Sequence, residues 1–325
     1  MPRSMGVVSL LLACVLSPSA NSWGANDTPT NPSAPAISSV RTYAPRDFHE
    51  PLLDRLSGGI PQLSPYRMAA DSLGRLLVTD PAQSVVHVFD LKRGTHRQIT
   101  GDLFHRLIRP TYIAVDADDN IYVTDLGLLV VLVFDPSGQF RQTIGWGVLN
   151  LPTGICVDKA NQTLYVADWW TGEIDMFDLA GNLLHQFGAL GAGPGQLRSP
   201  SDVVVHGDML VVLDLGNERF DLFDLQGSFR GTWPFGADRL PIAFAFDSQG
   251  NLLYVDLESG GLVAMDPHGG ILGTLGQVRS YGQSHPEGIS FRCVAIDAAG
   301  EILALRPTLR IESVKLAAST PAQGH

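Results

Sequence analysis

Two apolar strands, each ending in Asp, recur along this chain at a constant internal spacing. The copies read LLVTD…VHVFD, IYVTD…VLVFD, LYVAD…IDMFD, LVVLD…FDLFD and LLYVD…LVAMD, and a degenerate sixth closes the run. The first Asp of each pair is Asp80, Asp125, Asp168, Asp214 or Asp256; the second follows 10 residues later, at Asp90, Asp135, Asp178, Asp224 or Asp266. Between copies the step varies: 45, 43, 46 and 42 residues. A hairpin of fixed length on connections of variable length, with a period of roughly 40 to 50 residues and several strands per unit, predicts a β-propeller.

Residues 152–188 contain one whole unit. Pro152-Thr153-Gly154 opens the strand ICVD, a turn through Asn161 leads to TLYVAD, WWTGE leads to IDMFD, and LAGN leads to LLHQF. That grammar predicts four antiparallel strands joined by short hairpins, with Gly, Asn and Asp at the turns. The first three strands are continuously apolar, as expected of a blade sandwiched between neighbours, and the fourth is polar enough to lie at the rim. Gly94, Gly138, Gly181, Gly227 and Gly269 fall where the turn between third and fourth strands needs positive φ. The last unit has CVAID, EILALR and RIESVKL but no fourth strand. Ile37–Ala44, ISSVRTYA, has the polar outer-strand pattern to supply it, which would remove the exposed sheet edges of an open array. The expectation is an all-β, six-bladed propeller of four-stranded antiparallel blades, its last blade closed by an N-terminal strand.

The N-terminus has the pattern of an export signal. One Arg precedes an apolar run, Val7 to Leu16, and a small, polar stretch follows to Ala25. Cleavage after a small residue between Ser19 and Ala25 would release a secreted form; cleavage before Cys14 in LLLAC would give a bacterial lipoprotein with a lipid anchor at Cys14. The organisation expected is a signal peptide over 1–25, a linker over 26–35, the propeller over 36–317 and a disordered tail over 318–325, with an exported protein in the periplasm or outside the cell. No other stretch approaches the ~20 apolar residues of a membrane-spanning helix. A net charge of −11 and only three lysines argue against nucleic acid as a partner, because phosphate binding needs a basic surface. Cys156 and Cys293 fall in the third and sixth units, opposite one another in such a ring, and are expected as buried thiols rather than a disulfide.

The stretches FGALGAGPGQLRSPSDVVV (187–205) and DLGNERFDLFD (214–224) resemble the NHL-repeat family of propellers. The first is similar to that family's glycine-rich blade connection ending in Pro, the second to its Asp, Asn, Arg turn before an aromatic-Asp. The resemblance runs over about residues 36–317, and only the fourth copy keeps Asn217 and Arg219 together. It implies a six-bladed ring that acts mostly as a binding platform, although similar rings include metal-dependent lyases and lactone hydrolases.

In such a ring the connections from fourth to first strand and the turns from second to third strand share one end, and binding residues on a rigid scaffold concentrate on loops. Trp169 and Trp170, adjacent on a turn, suit anchoring of a protein, peptide or glycan, unless one folds back over the next blade. Tyr112, Arg219, Tyr66 and Arg67 are the further contacts expected on that end. The Asp residues that recur with the period read as turn caps. The non-repeating Asp202, His285 and Glu287 are the alternative: an axial oxygen-rich site suited to calcium and to a metal-dependent lyase or lactone-type hydrolase. No HExxH motif, paired-cysteine motif or G-x-S-x-G elbow occurs, so the first expectation is a scaffold with no catalytic residues and no cofactor.

Overall fold

The structure is a computed structural model that describes residues 37–43, 66–236, 238–259, 261–275, 293–297, 300, 302–305 and 311–316. The segments read above as signal peptide, linker and tail lie outside the described residues, as do Cys14, His285 and Glu287. Within the described residues the chain is an all-β propeller of four-stranded antiparallel blades.

Five sheets are each built from four consecutive strands. The first holds β2 (Met68–Ala70), β3 (Arg75–Asp80), β4 (Val85–Asp90) and β5 (Thr95–Ile99). The second holds β6 (Pro110–Val115), β7 (Ile121–Asp125), β8 (Val130–Phe134) and β9 (Phe140–Ile144). The third holds β10 (Pro152–Asp158), β11 (Thr163–Asp168), β12 (Glu173–Asp178) and β13 (Leu183–Gly188). The fourth holds β14 (Pro200–His206), β15 (Met209–Asp214), β16 (Arg219–Asp224) and β17 (Phe229–Pro234). The fifth holds β18 (Pro241–Phe246), β19 (Leu252–Asp256), β20 (Leu262–Met265) and β21 (Ile271–Leu275). A composite sheet follows: β22 (Cys293–Ile296), β23 (Ile302–Leu305) and β24 (Ile311–Leu316) pair in order, and β1 (Ile37–Tyr43) lies antiparallel to β24 with Val40 opposite Val314.

Burial follows the chemistry of the strands. Every residue of β4, β6 and β8 is buried, whereas β9 alternates and β13 is mostly exposed. The inner strands are therefore covered on both faces and the fourth strands form the rim. Apolar clusters fill the spaces between sheets: Leu77, Val86 and Val88 meet Ile113, Val123 and Leu132, while Cys293, Ala295 and Leu303 meet Met68, Leu76 and Val78. At the axis the first strands approach closely, and a Cβ on Gly154 would lie 2.3 Å from Asp202 Cα.

The five turn glycines have φ between 64° and 93°, as the turn pattern requires. One of them also packs tightly. A Cβ on Gly227 would lie 2.5 Å from the Phe187 ring of the preceding blade. Gly227→Val is expected to lose about 2 kcal/mol or more in urea denaturation, combining backbone strain with overpacking. Gly207→Ala has the same backbone problem but nothing within 4 Å of the new Cβ, and should lose only about 1 kcal/mol.

Candidate functional site

The end of the propeller that carries the longer connections is held from beneath by the Asp residues that close the second strands. Asp168 Oδ1 accepts the Trp170 N–H at 3.0 Å and the Thr171 N–H at 3.2 Å, and its Oδ2 accepts the Asn150 N–H at 2.6 Å. Asp125 accepts from Gly127 in its own turn and from Ile108 and Arg109 in the connection that enters its blade. Asp214 and Asp256 likewise take the N–H groups of Arg198 and Leu240. The second Asp of each pair caps the turn at the opposite end: Asp135 accepts from Ser137 and Gln139, and Asp224 from Gln226 and Ser228. The recurring carboxylates are thus fastenings for turns and connections.

Four residues singled out from the sequence come together at the axis, but as a plug rather than a surface. Arg67 is only 6% exposed. Its guanidinium lies between the rings of Tyr66 and Tyr112, 4.5 and 4.4 Å from their centroids, and the two rings meet edge to face. Nη2 donates to Tyr112 OH at 3.0 Å and to the carbonyl of Ile242, and Nη1 donates to the Tyr66 carbonyl. Nε stands 3.8 Å from Asp202 Oδ2 and has no hydrogen-bond partner among the described residues. Below the plug is a cavity of 390 Å³ lined by β2, β6, β10, β14, β18 and β22, both cysteines included. Cys156 and Cys293 are free, buried thiols, and burial pushes the Cys293 thiol up to about 11.

The expected surface contacts separate. Trp170 is 73% exposed, whereas Trp169 is half-buried and packs on the cluster between the fourth and fifth blades. Arg219 is committed to holding the glycine-rich connection: its guanidinium donates to the carbonyls of Ala192, Gly193 and Gln196, and Nε bonds Asp221 at 2.9 Å. Sequence reasoning missed other exposed apolar side chains on the same end: Phe104 (88%), Trp146 (77%), Leu190 (64%), Ile108 and Leu129. All lie in fourth-to-first connections or second-to-third turns. They are contiguous in places, since the Gly127 turn abuts Ile108 and the Gly172 turn abuts Leu190. Their signal was a large apolar residue in a connection, as in Gly145-Trp146-Gly147. For the metal alternative, Asp202 faces Arg67; among the described residues no group of three His, Cys, Asp or Glu side chains converges.

Several acids are buried enough to hold protons near neutrality. Burial pushes Asp202 up to about 7 against the pull of Arg67, and Asp175 up to about 6 although Gln186 donates to it at 2.6 Å. Asp214 is pushed up to about 7 by burial, with the nearby Asp221 carboxylate adding to the shift, and Asp221 is raised as well. A carboxyl whose folded pKa lies above its unfolded value stabilises the fold fully below the unfolded value, and that contribution is lost as pH rises through the folded one. The melting temperature should therefore fall as pH rises from about 4 to about 7. Asp221→Asn, which keeps the shape and removes one buried charge, should raise Tm at pH 8 and flatten the slope in calorimetry; a Tm that climbs through this window would contradict the assignment.

Comparison with known proteins gives two kinds of likeness. No family model matches the chain. The E3 ubiquitin-protein ligase NHLRC1 of Homo sapiens is 29% identical over 129 residues, 38% of this chain and 31% of the relative. Protein brain tumor of Drosophila melanogaster is 26% identical over 183 residues, 55% of this chain and 16% of the relative. The chain thus spans less than one third of the length of these curated relatives. A gluconolactonase from Xanthomonas campestris superposes with a TM-score of 0.63 at 17% identity, covering 89% of this chain and 99% of that one, which shows a shared fold alone. Together with the period, the blade grammar and the Asp-Asn-Arg turn, these relatives support a likeness to the NHL-repeat β-propellers.

Proposed function

We propose that this chain is an exported binding scaffold that takes a protein or peptide partner on the loop-rich end of the second and third blades. One observation carries the reading: Phe104, Ile108, Leu129, Trp146, Trp170 and Leu190 are exposed on one end of the fold, on turns and connections fixed from below by Asp125, Asp168 and Asp214. Large aromatic groups on a pre-organised surface give binding energy at low entropic cost. In this reading the six sheets act as one closed ring, with β1 contributed to the last; the pairing of β1 with β24 and the packing of Cys293 and Leu303 against Met68 and Leu76 support it. Glycan binding through the same aromatic side chains is the neighbouring case. The signal-like N-terminus motivates export, and the mass of the mature N-terminus distinguishes a secreted form from one lipidated at Cys14.

The enzyme alternative, a metal-dependent lyase or lactone-type hydrolase with calcium held by Asp202, His285 and Glu287, draws its support from the shared fold of the gluconolactonase. Asp202 is already opposed by Arg67, which favours the scaffold reading. A stoichiometric divalent ion in purified protein, lost in Glu287→Ala, would reverse this ranking.

Affinity capture from the exported fraction tests the scaffold directly. The Trp146→Ala, Trp170→Ala double variant should recover its partner about tenfold less than wild type, the scale of losing aromatic anchors. Leu184→Ala, on the exposed rim strand β13, should recover it unchanged. Equal recovery by all three proteins would remove this face from the account.

A further inference from the structure

The axial cavity is closed at the loop-rich end by Arg67, Tyr66 and Tyr112, and reaches the other end of the propeller, where Lys159 and the His206 ring stacked on Phe246 line its wall. Between the plug and that mouth its wall includes half-buried, short or branched side chains such as Ala69, Val157 and Ala245. At 390 Å³ it falls in the range of pockets that enclose a small ligand, and its accessible lining is about equally polar and apolar.

The polar groups at its blind end are unusual in what they leave undone. Four of the five N–H groups of an arginine lie on its two terminal nitrogens, and those nitrogens of Arg67 are occupied by two carbonyls and a phenol. Of the three guanidinium nitrogens only Nε has no partner among the described residues: its N–H is buried, 3.8 Å from a carboxylate too distant for a hydrogen bond. Asp202 Oδ1 accepts from the Val203 N–H, and no hydrogen bond to Oδ2 is formed among the described residues. A buried donor without a partner is costly, so the gap is shaped for a group that completes both ends. An anion there would meet the Asp202 carboxylate, and a cation would meet Arg67. What satisfies both is a neutral group that accepts from Nε–H and donates to Oδ2.

We propose that the axial cavity binds a small apolar molecule ending in an alcohol or a primary amide, inserted from the Lys159 end with its polar head between Arg67 and Asp202. The site is separate from the loop-rich face and does not depend on a partner binding there. Burial of Asp202, which holds its carboxyl up to about 7, keeps anionic charge at the blind end low and suits a neutral ligand.

Ligand-observed saturation-transfer NMR on the whole mature protein tests this, with 1-hexanol, hexanamide, hexanoate and hexylamine as probes. Hexanol and hexanamide should bind, and the two charged probes should bind at least tenfold more weakly or not at all, as expected when a charge is left uncompensated in a buried site (~tenfold or more). Asp202→Val should weaken hexanol about tenfold by removing one of its two hydrogen bonds. Ala245→Leu, at a half-buried wall position outside the cluster that holds Tyr66 and Tyr112, should abolish binding even if Asp202→Val fails to fold. Trp146→Ala should bind hexanol as wild type does, which separates this result from the fate of the loop-face reading. The proposal is overturned by absence of transfer to either neutral probe, in which case the gap holds water alone. Equal transfer in wild type and Ala245→Leu, or preference for a charged probe, overturns it as well.

Discussion

The carboxylate that ends each second strand is the fastening on which the loop-rich end depends. A single side chain has two acceptor oxygens, and in Asp168 and Asp125 they reach both the turn that follows and the connection that arrives from the preceding blade. Asp168 spans Trp170 and Asn150; Asp125 spans Gly127 and Ile108. Hydrogen bonds to an ionised acceptor contribute about 1.5–3 kcal/mol each, and the arrangement also satisfies amides that irregular backbone would otherwise leave unpaired. Glu could not serve as well, because its longer chain would lift the oxygens away from amides two residues ahead. With the backbone held from inside the blade, outward side chains such as Leu129 and Trp170 are free to differ, while Leu128, Trp169 and Leu215 of the same turns pack inward. A constant frame with variable tips is what a family of binding surfaces requires.

That frame divides the molecule into two ends with different chemistry. On the loop end the Arg67 guanidinium is sandwiched by Tyr66 and Tyr112, so the axis is sealed there. Stacking between aromatic faces favours a cation and lets it remain charged despite burial, helped by Asp202. The seal has two consequences. It fills the axis at the loop end with a stacked cation, and it leaves Arg67 Nε and Asp202 Oδ2 facing the lumen without a hydrogen-bond partner among the described residues. Sequence reasoning placed both an aromatic contact surface and an axial site at one end; in the structure Trp170 is exposed on the loop end, whereas Asp202 is buried beside the Arg67 guanidinium.

What was legible in the chain follows from which forces are periodic. The hairpin spacing, the burial of the inner strands and the positive φ of Gly227 and its counterparts repeat with each blade, so five copies reported the same constraint. The Asp caps were readable for the same reason. The direction of a side chain where a strand meets its connection is not periodic. Arg67, Tyr66 and Tyr112 therefore read as surface groups, although first strands at an axis face neighbours on all sides. Trp169 and Trp170 were indistinguishable as letters, yet adjacent residues on a tight turn point apart: one packs on the cluster that holds Leu213 and Phe220 and the other faces out. Arg219 carried the most family-like signature and proved structural, because the connection it grips is rich in glycine and offers bare carbonyls at Ala192, Gly193 and Gln196.

One repeated position shows how individual blades depart from the common plan. Three residues before the Asp that ends the third strand stand His87, Leu132, Asp175, Asp221 and Val263, in blade order. The two apolar versions are buried within their sheets at no polar cost. The three polar versions are just as buried and each finds a partner nearby: His87 bonds His96 at 2.9 Å, Asp175 accepts from Gln186, and Asp221 accepts from Arg219. Each also lies on the face that carries the second-strand Asp, with His87 3.6 Å from Asp80 and Arg219 bridging Asp221 and Asp214. A buried pair of this kind adds little net stability over an apolar one, but it penalises any slip in register, since a shift by one residue would strand both partners. Blades of nearly identical sequence pattern risk pairing with the wrong neighbour during folding. Distinct polar pairs in the first, third and fourth blades mark those sheets apart, at the expense of the pH-sensitive charge buried at Asp175 and Asp221.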